Sequence, residues 1–147
     1  MNDLRVVFMG TPDFCIPILE GLIDKCDVVG VVSQPDRKVG RKQILKPTPV
    51  KEVSLNNNIK VYQPSNIKTD YKYILDLNPD IIITCAYGQI IPKEVLDYPK
   101  YGCIKFMHHY FLSIGEELLY IEQSSMEIVK QVLLLCIWML VWMMEIL

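Results

Sequence analysis

Residues 80–86 read DIIITCA, and this stretch decides the fold class. Consecutive β-branched and small apolar residues, without polar alternation, are typical of a strand buried on both faces of a parallel sheet. Two similar runs lie at residues 4–9 (LRVVFM) and 27–33 (DVVGVVS). Together the three runs predict the centre of a parallel sheet.

Helical patterns separate these strand-like runs. Phe14, Ile18 and Leu22 recur at the spacing of one helix face, and Thr48 followed by Pro49 looks like an N-cap and a first helical residue. Shorter strands are predicted at 59–62 and 102–104, short helices at 71–77 and 92–96, and a loop at 34–47. Strands that alternate with helices predict an α/β fold with parallel crossovers.

Two turns are candidate sites, because ligands of open parallel sheets bind at the carboxyl ends of the strands. Residues 10–13 (GTPD) lack two glycines of a dinucleotide-binding loop, which argues against a plain dinucleotide-binding domain and favours an ordinary turn. In residues 86–92 (AYGQIIP), Gly88 permits close approach of the backbone and Ile90 offers an apolar wall for a flat heterocycle. A plain turn before a helix explains the second stretch equally well.

Residues 34–51 (QPDRKVGRKQILKPTPVK) concentrate positive charge, with no acidic residue after Asp36. Such a segment either binds a polyanion through its phosphates or is a solvated linker. Composition slightly favours the linker, while the length of the loop and its position after a strand reduce that preference. The cations are Arg37, Lys38, Arg41, Lys42, Lys46 and Lys51.

Composition limits the class of protein. The chain has 147 residues and a net charge of −2, so neither nucleic-acid nor membrane binding is indicated by charge as a whole. Five cysteines without a C-x-x-C pair predict free thiols in a reducing compartment. With no basic, apolar leader at its start, the chain is expected in the cytoplasm. The adjacent His108 and His109 make a poor metal pair, and no metal is expected.

The composition changes abruptly after Ile104. All nine prolines precede residue 100, and the last 43 residues contain no Asp, Asn, Pro, Thr, Arg or Ala. Residues 131–147 (QVLLLCIWMLVWMMEIL) are nearly all apolar but shorter than the ~20 residues that span a bilayer. We therefore predict two segments, residues 1–104 and residues 105–147.

Three stretches of the first segment resemble the methionyl-tRNA formyltransferases: VVFMGTPDF, VVSQPDRKVGRKQILKPTPVK and AYGQIIPKEVLDYPKYGCI. The resemblance covers about residues 4–104. It implies a Rossmann-like parallel sheet with flanking helices, incomplete because it breaks off after about five strands. It also implies transfer of a formyl group from 10-formyltetrahydrofolate to the amino group of methionine on initiator tRNA. No DNA partner, metal or defined oligomer is implied, and a membrane partner is disfavoured.

The resemblance also assigns site residues. The basic loop implies contact with the acceptor arm of tRNA, and the turn after the DIIITCA strand implies one wall of the folate pocket. The tRNA-binding candidates are Arg37, Lys38, Arg41 and Lys42; the folate-binding candidates are Tyr87, Gly88, Gln89 and Ile90.

The resemblance ends at Ile104. There the family continues as NVHASLLP, with an Asn and a His that, with a later Asp, form its catalytic set; this chain has Lys105 at the Asn position. Amine attack on a formyl carbonyl requires oxyanion stabilisation and a proton acceptor. No catalytic residue is therefore assigned, the C-terminal tRNA-binding domain is expected to be missing, and the chain is expected to be inactive.

A single missing base in codon 105 explains the change. Synonymous codons for residues 105–118 read NVHASLLPKYRGGA once one T is restored. Trp and Met have single codons, so residues 142–145 (WMME) must then read Asp-Asp-Gly. Residues 105–147 are therefore predicted to be out of frame. The alternative is a small non-catalytic protein whose basic loop binds RNA and whose apolar tail docks on a membrane or a partner.

Overall fold

The computed structural model describes residues 3–106 and, farther along the chain, residues 127, 130–132 and 134–138. A short 3₁₀ turn, Asp13–Cys15, precedes the first helix. The strands are β1 Arg5–Gly10, β2 Asp27–Val32, β3 Arg37–Val39, β4 Ile44–Lys46, β5 Val61–Tyr62, β6 Ile81–Cys85 and β7 Cys103–Phe106. The helices are α1 Ile16–Lys25, α2 Pro49–Asn56, α3 Lys72–Asp76 and α4 Lys93–Asp97.

Five parallel strands form one sheet in the order β5-β2-β1-β6-β7. The chain runs outward from β1 through β2 to β5 and then returns to the other side of β1 as β6. Strands β1 and β6 pair from Val6 opposite Ile81 to Gly10 opposite Cys85. The order therefore reverses between β1 and β6, which is where a doubly wound sheet opens a crevice for a ligand.

Successive side chains of β1 lie on opposite faces of the sheet and divide the core into two layers. Val6 and Phe8 lie in a cluster with the buried side chains of α1 and α2. Val7 and Met9 lie in a second cluster with the buried side chains of α3 and α4. Since all four side chains are fully buried, the sheet is covered on both faces, as parallel sheets are. The predicted α/β, Rossmann-like fold is confirmed.

The predicted strands are confirmed with ends that differ by one or two residues. The predicted N-cap is confirmed as well, because the Thr48 hydroxyl oxygen accepts a hydrogen bond from the Lys51 backbone N–H at 3.2 Å. The prediction of a plain loop over residues 34–47 is wrong. Strands β3 and β4 form an antiparallel hairpin there, and the sequence shows no apolar run because every residue of both strands is exposed.

The described residues beyond 106 are helical. Val132 and Cys136 are buried in the same cluster as α1, while Trp138 is 68% exposed. Burial of apolar surface is non-directional, so this packing does not distinguish an in-frame helix from an out-of-frame one, and the boundary at 104/105 stays a prediction. His108 and His109 lie outside the described residues. Among the described helices, none is both long and apolar enough to cross a bilayer.

Candidate functional site

The two turns singled out in the sequence meet where the sheet order reverses. The Thr11 hydroxyl donates a hydrogen bond to the Tyr87 carbonyl oxygen at 3.0 Å, joining the turn after β1 to the turn after β6. The same hydroxyl oxygen accepts a 3.4 Å bond from the Gln34 backbone N–H, which follows β2. One threonine therefore connects the carboxyl ends of three neighbouring strands.

A cavity of about 490 Å³ opens above these strand ends. Its volume lies within the range of small-molecule sites. It brings Arg37 of the hairpin to the same space as Tyr87 and Gly88 of the β6 turn. The segment predicted to bind tRNA and the segment predicted to bind folate thus share one cavity. The other lining residues are Thr11, Pro12, Gln34, Val39, Lys46, Pro47, Thr48, Pro49 and Ala86.

Side-chain amides fix the walls of this cavity. Gln89 donates through Nε2 to Gln34 Oε1 at 2.8 Å and to the Pro64 carbonyl at 3.2 Å, and its Oε1 accepts from the Ile67 N–H at 2.8 Å. Gln63 donates to the Gln34 carbonyl at 3.1 Å. These bonds connect the segments that follow β2, β5 and β6 and hold them in one arrangement.

Asp36 anchors the base of the hairpin. Its carboxylate accepts from Gln63 Nε2 at 2.6 Å and pairs with Lys51 Nζ at 3.0 Å. The hydrogen bond from Gln63, and next the bond from Lys51, hold the pKa of Asp36 below its usual value. Asp36 is therefore committed to these two partners and does not neutralise the cations of β3 and β4.

The predicted folate-binding residues differ in what remains open to a ligand. Tyr87 is only 3% exposed, and no described group bonds its phenol; burial raises the pKa of Tyr87 to about 12. The side chain of Gln89 is occupied by the amide bonds described above. Gly88 offers its backbone, with φ at +100°, and the Ile90 side chain is 74% exposed. Of these four residues, Tyr87 and Gly88 line the cavity, whereas Gln89 and Ile90 are not among its lining residues.

The four predicted tRNA-binding residues do not form one patch. Arg37 lines the cavity, whereas Lys38 is the middle residue of β3 and is paired with Leu45. Arg41 and Lys42 lie in the turn at the hairpin tip, beside a smaller cavity of about 270 Å³. All four side chains are exposed, so each is available to an anion.

Sequence reasoning misses Gln34 and Thr48 as cavity residues. The sequence indicates Thr48 only as a helix cap, yet its hydroxyl lies 2.7 Å from the buried Ser33 hydroxyl and ties α2 to the end of β2. The signal that could have found them is position, since each follows a strand or precedes a helix at the carboxyl edge of the sheet.

Lys105, which stands at the catalytic Asn position of the resemblance, is an exposed residue of β7 opposite Thr84 of β6. No group of three or more His, Cys, Asp or Glu residues suited to a metal occurs in the part of the chain that the structure describes.

A family of known proteins matches the part of the chain that carries this cavity. The model of the family described as "Formyl transferase" matches residues 4–113, which include the strand ends, the hairpin and the β6 turn. The chain belongs to the formyl transferase family.

Individual relatives are similar over the same part of the chain. Proteins named methionyl-tRNA formyltransferase from Bacillus cytotoxicus and Bacillus mycoides are each 58% identical over 104 residues, and one from Bacillus thuringiensis is 57% identical. Each match covers 69% of this chain and 33% of the relative. The chain therefore matches about a third of the length of these curated relatives.

Proposed function

We propose that residues 1–104 are the front half of a formyltransferase domain that moves a formyl group from 10-formyltetrahydrofolate to the amino group of methionyl-tRNA. The observation that carries this proposal is the shared cavity, which Arg37 of the basic hairpin lines together with the backbone of the β6 turn. A one-carbon donor and a polyanionic acceptor must meet for transfer to occur. This cavity offers an apolar wall to the first and cations to the second.

The β6 turn is assigned to the donor. Folate carries a flat heterocycle, which suits the exposed Ile90 side chain and the open backbone at Gly88. The amide bonds of Gln89 hold the turn in place before a ligand arrives. Preorganisation of this kind lowers the entropy lost on binding.

The hairpin is assigned to tRNA. Arg37, Lys38, Arg41 and Lys42 are exposed and project from a short element anchored at its base by the Asp36–Lys51 pair. Cations that contact phosphates supply affinity without reading sequence and make binding salt-dependent. Initiator tRNA is the proposed partner and the cytoplasm the proposed location, in keeping with five free cysteines among the described residues.

Binding of tRNA to the purified chain tests the hairpin assignment. We expect an Arg41→Gln/Lys42→Gln variant to bind tRNA more weakly and to lose about two units of the slope of log affinity against log salt. A Lys93→Gln/Lys100→Gln variant removes the same charge from exposed positions in and after α4 and should bind like the parent. Equal losses in the two variants would show that only net charge matters.

We further propose that residues 105–147 are read out of frame and that the 147-residue chain does not transfer formyl groups. The support is Lys105 at the position of the catalytic Asn, followed by a sequence that becomes family-like when one T is restored. Resequencing the genomic DNA across codons 100–150 tests whether the base is absent from the gene. A T in codon 105 means a longer working enzyme, whereas a confirmed deletion means an inactive relic.

A further inference from the structure

The β3–β4 hairpin has two different faces. Strand pairing places Arg37 opposite Lys46 and Val39 opposite Ile44, while Lys38 lies opposite Leu45. Because side chains alternate along a strand, the first two pairs share one face and the third lies on the other. Arg37, Val39 and Lys46 all line the large cavity, so the face with the cation pair is the one turned towards the site.

The cation pair is electrostatically unusual. Like charges directly opposite on an antiparallel pair are destabilising, yet Arg37 and Lys46 have no ion pair or side-chain hydrogen bond with any described residue. The acid nearest in sequence, Asp36, is occupied by Gln63 and Lys51. Two adjacent cations that line the cavity therefore have no anionic partner among the residues that the structure describes.

We infer that Arg37 and Lys46 clamp one phosphate of a nucleotide at the cavity mouth, with the attached nucleoside entering the cavity. The phosphate fits because guanidinium and ammonium groups both bind phosphate through charge-assisted hydrogen bonds. Behind the pair, Pro47 and Pro49 offer apolar surface to a sugar or base, and the Thr48 hydroxyl and the Gly88 backbone offer polar contacts.

This inference deepens the proposed function. It rests on that function to identify the bound nucleotide as the terminal nucleotide of the tRNA acceptor end. It divides the basic segment into two parts. Arg37 and Lys46 hold the end of the acceptor inside the site, while Arg41 and Lys42 at the hairpin tip contact phosphates farther from it. Lys46 thereby becomes a binding residue, although the family resemblance did not assign it.

Titration of the full chain with adenosine 5′-monophosphate, followed by NMR shifts of the hairpin amides, tests the clamp without any formyl donor. We expect Arg37→Gln and Lys46→Gln each to weaken nucleotide binding about 3- to 10-fold, the range for a partly exposed charge-assisted contact. Lys100→Gln is the matched control, because it removes one charge from an exposed residue that precedes β7, at the edge of the sheet opposite the cavity, and should leave the affinity unchanged. Adenosine, which lacks the phosphate and so loses both contacts, should bind the parent more weakly than the nucleotide binds either single variant.

The outcomes separate the clamp from the function on which it rests. Equal weakening by Lys100→Gln and Lys46→Gln, or equal affinity for adenosine and its monophosphate, would overturn the clamp. The comparison of the two ligands uses only the parent chain, so it stands even if a variant fails to fold. If the nucleotide binds as expected but tRNA does not bind, the clamp is supported and the proposed function fails. If tRNA binds but Arg37→Gln and Lys46→Gln leave the affinity for the nucleotide unchanged, the clamp fails and the proposed function stands.

Discussion

The substitution Gly88→Ala tests whether the amide bonds around the cavity stabilise the site. Gly88 has φ at +100°, and a Cβ built on it would lie 2.6 Å from Gln34 Nε2. Gln34 is a flexible side chain and can move away, but its Oε1 accepts the 2.8 Å bond from Gln89. The new methyl group therefore strains the backbone and also displaces one partner of a bond that holds the β6 turn.

The magnitude follows from three contributions. A side chain in the left-handed region costs about 1–2 kcal/mol, and loss of one hydrogen bond costs about 0.5–1.5 kcal/mol. Reduced freedom of the unfolded chain offsets about 0.4–1 kcal/mol. We expect the free energy of unfolding to fall by about 0.5–3 kcal/mol, measured as a lower urea midpoint at an unchanged slope.

Two further variants isolate the contact. Gly40 also has positive φ, at +76°, but a Cβ there would meet nothing within 4 Å, so Gly40→Ala reports backbone strain alone. In a Gln34→Ala background, Gly88→Ala should cost no more than Gly40→Ala does in the parent, since the displaced partner is gone. A cost of Gly88→Ala equal to that of Gly40→Ala in the parent chain would refute this account of the amide bonds.

Three other predictions concern caps and titrating groups. Thr48→Ala should lower the free energy of unfolding by about 1–3 kcal/mol, because it removes a helix cap and leaves the buried Ser33 hydroxyl unpaired. Thr48→Ser keeps a hydroxyl and should retain most of the parent's stability in the same urea titration. An unchanged urea midpoint in Thr48→Ala would contradict the role given to this hydroxyl. The folded-state pKa of Asp36 is depressed, so its stabilisation is present above the ordinary value of 3.8 and is lost as pH falls through the folded value. NMR titration should show the pKa of Asp36 rising in Lys51→Met, and an unshifted pKa would remove the role given to the pair. Partial burial raises the pKa of Cys103 to about 11, so this thiol should react slowly with a disulfide reagent at pH 8 and faster as the pH rises. Rapid reaction at pH 8 in the folded chain would contradict the raised pKa.

The fold could be predicted because its strands are strongly apolar. Five parallel strands and the Thr48 cap were found from residue types alone, since strands buried on both faces leave long apolar runs. The β3–β4 hairpin could not be found in this way. Its side chains are exposed, and six of the residues from 37 to 51 are cations. The charged side chains therefore hide the alternation of apolar and polar residues by which a strand is recognised.

The site could be predicted only in outline. The turns at 10–13 and 86–92 were found because sheet topology concentrates ligands at strand ends, and they do meet through Thr11 and Tyr87. The connections of Gln34 and Gln89, 55 residues apart in sequence, leave no local signal. Composition alone likewise did not show that Arg37 and Lys46 are opposite each other, because strand register depends on the geometry of the turn.

The most direct test of the account compares formylation of methionyl-tRNA by two proteins made side by side. One is the 147-residue chain, and the other is the product of the same gene with one T restored in codon 105 and read on through the downstream DNA. The account predicts that the restored protein transfers formyl from 10-formyltetrahydrofolate while the 147-residue chain remains at the background rate. Formylation by the 147-residue chain at the rate of the restored protein would contradict it.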